Sequence, residues 1–331
     1  MTRCERVKAA MAHREPDKVP SCIHLARDGW QLHSDKLYER YTDERLRRLC
    51  AEGKISRQHA IYYGMGNHVL ALNCPWWKWY DVPKEYSTVE DAPDYLPKTM
   101  GYGSYEGFAE TVRNLKEYTD AYVLVTIWGS HFEKANAVRG IENFLADLAG
   151  DPEYAQEMLD FIIKKNLVML ENIVHIPGID GILLGSDWGA QKDLLMSPSC
   201  WREMIAPGEK KEYDLVHEAG LDVWLHSCGD IRKILPEITE MGVDALNPVQ
   251  PECMDIYELK EKYGNDITFW GGISTQRTLP YGTPDEVAEE TRKVTSALSK
   301  NGGYIIAPSQ EIQSDVPFEN LCALIDTAAK L

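Results

Sequence analysis

Gly220-Leu221-Asp222-Val223-Trp224-Leu225-His226-Ser227-Cys228-Gly229-Asp230 carries three signals in one short run. A glycine of the kind that closes helices leads in. Leu221 to Leu225 then reads as a short buried strand, and polar residues follow at once. Residues i and i+2 of an extended chain point to the same side, so His226 and Cys228 face one cavity. Imidazole and thiolate are both Zn²⁺ ligands, and as a pair they fall short of the three or four ligands that a zinc site needs. The bland alternative is a buried thiol beside a hydrogen-bonded core imidazole.

The same alternation of apolar, β-branched runs with helical patterns continues on both sides, as repeated parallel βα units require. Candidate strands are Val19 to Leu25, His68 to Leu72, Tyr122 to Ile127, Gly181 to Leu184, Asp222 to His226, Ala245 to Pro248, Ile267 to Trp270 and Tyr304 to Ala307. Eight is the strand number of a TIM barrel. Asp151-Pro152 opens a helix over Glu153 to His175, and Thr283-Pro284-Asp285-Glu286 opens another that runs to about Lys300, each by an N-cap followed by proline. Residues 78–103, rich in Tyr, Pro and Asp without a clear period, read as a long excursion. With neither repeat nor linker in view, the expectation is an α/β fold. It is a single (β/α)8 TIM barrel over residues 1–331 with an extended N-terminal region.

Composition excludes several partners. A chain of 331 residues with 44% hydrophobic content buries a large core. Its formal net charge of −17 opposes nucleic-acid backbones and anionic membranes, which need a positive footprint. No apolar run approaches the ~20 residues that span a bilayer. The start Met1-Thr2-Arg3-Cys4-Glu5-Arg6 lacks a signal-peptide core, so the cytoplasm is the expected compartment. Eight cysteines scattered without framework spacing read as reduced thiols.

Polar residues gather just past the strand ends, where a barrel builds its active face. These are His24, Arg27 and Asp28; Trp128 and His131; Asp187, Trp188 and Gln191; His226, Cys228 and Asp230; Asn247 and Gln250; Ser274 and Gln276; and Ser309, Gln310, Glu311 and Gln313. Singly, each is an ordinary cap or loop side chain. Together they line a pocket for a small-molecule substrate, and Arg27, His131, Trp188, Gln191, Asn247, Gln250, Ser309, Gln310 and Gln313 are the candidate substrate contacts.

The opening Arg3-Cys4-Glu5-Arg6-Val7-Lys8-Ala9-Ala10 with Glu15-Pro16-Asp17-Lys18-Val19-Pro20 resembles the start of uroporphyrinogen decarboxylase superfamily proteins. Asp187-Trp188-Gly189-Ala190-Gln191, Leu225 to Asp230, Leu246-Asn247-Pro248-Val249-Gln250-Pro251, Phe269-Trp270-Gly271-Gly272-Ile273 and Ala307 to Gln313 resemble its decarboxylase-like branch, in order and at fitting spacing. The resemblance implies a (β/α)8 barrel. It joins tetrapyrrole decarboxylases to zinc-dependent methyltransferases that work with a corrinoid-binding partner protein. Those methyltransferases place zinc on an H-x-C pair, here His226 and Cys228, and on a later Cys, whose position here is Gln310. An amide is a poor Zn²⁺ ligand beside thiolate and imidazole. Glu311, Asp187 or a substrate atom remain open as third ligand, as does none at all, which leaves the site metal-free; Asp230 is a candidate to orient His226 from behind.

A Zn²⁺ with an open position would turn a bound thiol into a thiolate able to attack a methyl group. A reduced pterin of the tetrahydrofolate type, the other acceptor that the resemblance implies, would need proton transfer at a ring nitrogen, with Asp187 a candidate acid. Under the decarboxylase alternative Asp28 would polarise a pyrrole. That substrate's carboxylates call for several Arg or Lys, and His24-Leu25-Ala26-Arg27-Asp28-Gly29-Trp30 offers one Arg. A third reading is a non-catalytic corrinoid- or pterin-binding barrel with Trp128, Trp188, Trp270 and Tyr304 as stacking surfaces. A homodimer is compatible with an acidic barrel, although the chain shows no diagnostic seam.

Overall fold

The structure, a computed structural model, describes residues 1–74 and 105–331. The excursion expected at residues 78–103 lies outside the described residues. Seven strands follow one another in chain order: β1 (Val69–Asn73), β2 (Tyr122–Ile127), β3 (Gly181–Gly185), β4 (Asp222–His226), β5 (Ala245–Val249), β6 (Thr268–Ile273) and β7 (Tyr304–Pro308). Helices separate them, giving an α/β fold. Every residue of β2, β3, β5, β6 and β7 is buried, as expected of strands covered on both faces, which read as continuous apolar runs rather than alternating ones.

The helix starts follow from their caps. Asp151 accepts from the Tyr154 N–H at the head of Pro152–Ile173. Thr283 and Glu286 form a reciprocal capping box at the head of Pro284–Leu298, which satisfies two backbone donors that a bare helix start leaves open. Among the described residues no helix is long and apolar enough to cross a membrane.

Chain contacts divide the molecule into two compact units. The first comprises Met1–Ala71, Arg113–Val123 and Asp244–Leu331. Here β5 pairs with β6 and β6 with β7, all parallel, with Trp270 level with Ile305 and Gly272 with Ala307. Val19 to Leu25, expected as a full strand, makes only isolated bridges, Ser21 to Ile306 and Leu25 to Ile312. Two features interrupt its ladder. Pro20 has no N–H to donate, and on one edge alternate N–H groups are taken by side chains. Ser21 donates to His68 Nδ1 at 3.1 Å, Ile23 to Asn67 Oδ1 at 3.0 Å and Leu25 to the Tyr62 hydroxyl at 3.1 Å. Backbone bonds remain on both edges, His68 N–H to Ser21 O at 2.7 Å on this one and Cys22 N–H to Ile306 O at 2.9 Å on the other.

The second unit comprises Leu72–Val112 and Leu124–Val243. Strands β2, β3 and β4 pair in parallel, with Ile127 level with Leu184 and Gly185 with His226. Equal register brings the three strand ends out together, so the loops that follow them emerge side by side. That alignment positions the site.

Candidate metal centre

The loop after β3 and the loop after β4 are bonded to each other by two backbone bonds and one to a serine hydroxyl. Ser186 N–H donates to His226 O at 2.9 Å, Asp230 N–H to Ala190 O at 2.8 Å, and Trp188 N–H to Ser227 Oγ at 3.1 Å. Two glycines permit so close an approach. A Cβ on Gly189 would lie 2.5 Å from Cys228 O. One on Gly229 would lie 2.4 Å from the Gly189 carbonyl carbon, and Gly229 has a φ of +83°, a left-handed conformation that side chains disfavour.

This fastening aims three side chains at one point. His226 Nε2 lies 3.4 Å from Cys228 Sγ and 3.5 Å from Asp187 Oδ1. The Cys228 N–H donates to that same Asp187 oxygen at 2.8 Å, which holds the carboxylate in place. Among the described residues these three form the group whose donor atoms converge closely enough for one ion, all within 4.8 Å of one another. Bond lengths of about 2.0–2.3 Å at tetrahedral angles hold the ligands of a Zn²⁺ roughly 3.4–3.6 Å apart. The spacings on His226 meet that requirement. Sulfur, nitrogen and one oxygen suit zinc, and three protein ligands leave a position for a substrate atom. Of the third ligands left open by the sequence, Asp187 stands beside the pair. The imidazole is nearly buried while the Asp187 side chain is 37% exposed, so the approach is from the carboxylate side.

Trp128, in the loop after β2, packs its ring 4.9 Å from that of His226 at 83° and is 40% exposed. Its indole N–H donates to Asn73 Oδ1 at 3.2 Å, an atom that also accepts from the Thr126 hydroxyl at 2.7 Å. Glu133, which the sequence reading passed over, lies beside Asp187. Burial chiefly, and then repulsion from Asp187, push its carboxyl up to about 7, while the Asp187 N–H bonded to it pulls the other way. In sequence it reads as an ordinary acid in a first helical turn, and only its spatial neighbour sets it apart.

Other residues of the expected rim lie elsewhere in this unit. His131 is fully buried, its Nδ1 3.1 Å from Glu209 Oε1. Trp188 is fully buried too, its ring 5.4 Å from Trp201, whereas Gln191 is exposed. Asp230, expected behind His226, pairs with Arg232 at 2.6 Å. Of the four aromatics offered as stacking surfaces, Trp188, Trp270 and Tyr304 are core residues. The Trp270 N–H donates to Cys22 O at 3.1 Å and the Tyr304 hydroxyl to Gly271 O at 2.9 Å. Of the four only Trp128 has an open surface.

The first unit gathers the remaining rim residues. Gln250, Gln310 and Gln313 line one cavity of about 360 Å³ together with Thr275, Gln276 and Glu311. Ser309 lies beneath, its hydroxyl within 3.2 Å of the Thr275 N–H and 3.1 Å of the Thr275 hydroxyl. Buried Asn247 donates to Trp270 O at 3.0 Å. Asp28 accepts from the Ser314 N–H at 3.1 Å and hydroxyl at 2.7 Å, and neighbouring Arg27 is exposed.

Residues 81–331 match the family described as uroporphyrinogen decarboxylase (URO-D). The chain is 26% identical over 246 residues to a methylated-thiol–coenzyme M methyltransferase of Methanosarcina mazei, covering 72% of this chain and 62% of that protein. It is 24% identical over 182 residues to a uroporphyrinogen decarboxylase of Vesicomyosocius okutanii subsp. Calyptogena okutanii, covering 54% and 50%. The matched part thus spans between half and two thirds of these curated relatives. A solved methyltransferase structure from Methanosarcina mazei superposes with a TM-score of 0.69 at 19% identity, over 100% of this chain and 99% of the other, which extends the likeness of fold to the whole chain.

Proposed function

The chain belongs to the uroporphyrinogen decarboxylase (URO-D) family, and on that premise we propose that it is a zinc-assisted methyltransferase. It moves a methyl group between a corrinoid carried by a partner protein and a thiol or tetrahydrofolate-type acceptor, as part of a demethylation system. The observation that carries this reading is the convergence of His226, Cys228 and Asp187, with both spacings on His226 those of a tetrahedral zinc site. The methyltransferase named among the relatives supports it. The same proposal takes residues 1–331 as one (β/α)8 domain with Val19 to Leu25 in the eighth strand's place.

Bound zinc would lower the proton affinity of a thiol acceptor and hold it as a thiolate. The chain's own residues would do the rest. His226 and Cys228 fix the site at a strand end, and the Asp187 carboxylate, pinned by the Cys228 N–H, completes the donor set. Trp128 packs on the imidazole and limits water around the ligand sphere. For a pterin acceptor, Glu133 is a second carboxyl beside Asp187, placed to hold or give a proton. Gln250, Gln310 and Gln313, which line one cavity of the first unit, would contact a ligand held there. The decarboxylase alternative, with Asp28 at the pyrrole, needs cations to meet its substrate's carboxylates. Among the described residues the cavity holding Gln310 is lined by no Lys or Arg.

The test is elemental analysis of purified protein beside a His226→Ala, Cys228→Ala double variant, with methyl transfer from methylcobalamin to a thiol followed by absorbance. We expect about one zinc per chain in the parent and background in the variant, as loss of two ligands from a four-coordinate site requires. Equal zinc in both would remove the metal from the proposal.

A further inference from the structure

The cavity of about 360 Å³ in the first unit has an unusual lining: the amide side chains Gln250, Gln276, Gln310 and Gln313 surround it with Thr275, and its charged members, Glu311 and Asp315, are acidic. Its volume lies within the range of small-ligand pockets. Two of the amides are oriented in advance. The Glu311 N–H donates to Gln310 Oε1 at 3.0 Å, and the Cys253 thiol lies 3.8 Å from Gln250 Oε1. An amide offers a donor and an acceptor side by side in one plane, which pairs with any neutral group presenting the complementary edge. Among the described residues an anion would meet two acidic side chains and no lining cation, an arrangement that selects against it. Burial also pushes the Glu311 carboxyl up, toward the neutral form that can donate.

We propose that this cavity binds a neutral amide edge, either the carboxamide side chains at the periphery of a corrin ring or the lactam edge of a pterin. The inference rests on the methyltransferase reading above, and it adds that Gln310 serves ligand recognition rather than metal binding. The two sources share one chemistry: in-plane pairing with a glutamine amide, without ionic contact.

Equilibrium dialysis of the full chain separates them, with dicyanocobinamide, 6-methylpterin and, as the anionic control, dicyanocobyrinic acid, which is the corrin with carboxylates for amides. Cobinamide binding assigns the carboxamide source and methylpterin binding the lactam source. In either case the carboxylated corrin binds more weakly, and Gln310→Glu and Gln313→Glu each raise Kd about five- to tenfold, as loss of one or two neutral hydrogen bonds predicts. Thermal melts confirm that the variants fold. Failure of both neutral probes to bind below about 1 mM, unchanged Kd in both variants, or tighter binding of the carboxylated corrin overturns the inference. The His226→Ala, Cys228→Ala variant keeps the two proposals apart. Probe binding retained without methyl transfer in the parent condemns only the enzymatic reading, and transfer without probe binding condemns only the cavity.

Discussion

The loops carrying Asp187 and Cys228 are bonded backbone to backbone, and so is the loop carrying Gln310 and Gln313, where Ile312 accepts from the Ala26 N–H and donates to His24 O; the two differ in what holds the functional side chains, the Asp187 carboxylate being pinned from the opposite loop by the Cys228 N–H and the Gln310 amide by its own neighbour, the Glu311 N–H. The first arrangement tolerates no Cβ at Gly189 or Gly229 and presets its donor atoms without help from any ligand. The second fixes its Gln310 amide from within its own loop. A metal centre demands the first kind of rigidity, since ligand atoms misplaced by half an ångström lose the coordination geometry. A recognition pocket is better served by the second, where one residue changes preference without disturbing the chain path.

The contrast breaks first at the donor atoms. In the His226→Ala, Cys228→Ala variant, methyl transfer falls by at least about a hundredfold, the upper range for loss of a mere outer-sphere partner, while binding of a neutral corrin or pterin persists.

Gly229→Ala comes next. Left-handed strain and overpacking against Gly189 together destabilise by about 3 kcal/mol, and zinc content falls with the Tm. Gly53 is the control: it has a φ of +69° with nothing within 4 Å of an added Cβ, so Gly53→Ala suffers the strain alone, about 1–2 kcal/mol. Equal losses in the two variants would mean that the close approach of the loops contributes nothing.

A smaller effect separates the units by pH. His24, buried among Tyr62 and Trp270, has its pKa lowered to about 4, chiefly by burial and then by repulsion from His59. A depressed imidazole stabilises the fold fully above its unfolded value near 6.5, and that contribution is lost as pH falls toward 4. Urea melts of His24→Gln should therefore show a shallower decline of stability between those pH values, by about one proton's worth of slope. An unchanged slope would place the acid sensitivity elsewhere.

The smallest effect is Arg27→Ala. The side chain is exposed, so stability moves within about 0.5 kcal/mol. A large loss of activity in that variant would favour the decarboxylase alternative, in which this cation meets a substrate carboxylate.

Local patterns were legible in the chain. The bounds of β2 and β4 match their apolar runs to the residue, and the caps at Asp151 and Thr283 act as their sequence indicates. The H-x-C pair was legible for the same reason: a two-residue period is a property of one strand. Val19 to Leu25 misled because its β-propensity is real, yet the groups meeting its N–H donors come from His68, Asn67 and Tyr62, about 40 residues away. Trp188 and Tyr304 misled in a similar way, since a position near a strand end does not reveal whether other elements cover it.

What the amino-acid sequence determined by itself was the succession of strands and helices, the acidic character of the chain and the pairing of His226 with Cys228, because each depends on residue type and on neighbours a few positions apart. Only the tertiary structure chose Asp187 as the third converging donor, brought Glu133 beside it, buried His131 and gathered the glutamines around one cavity. Those choices depend on parallel register and on glycine-permitted contact between loops about 40 residues apart, and distances across such separations are set by packing.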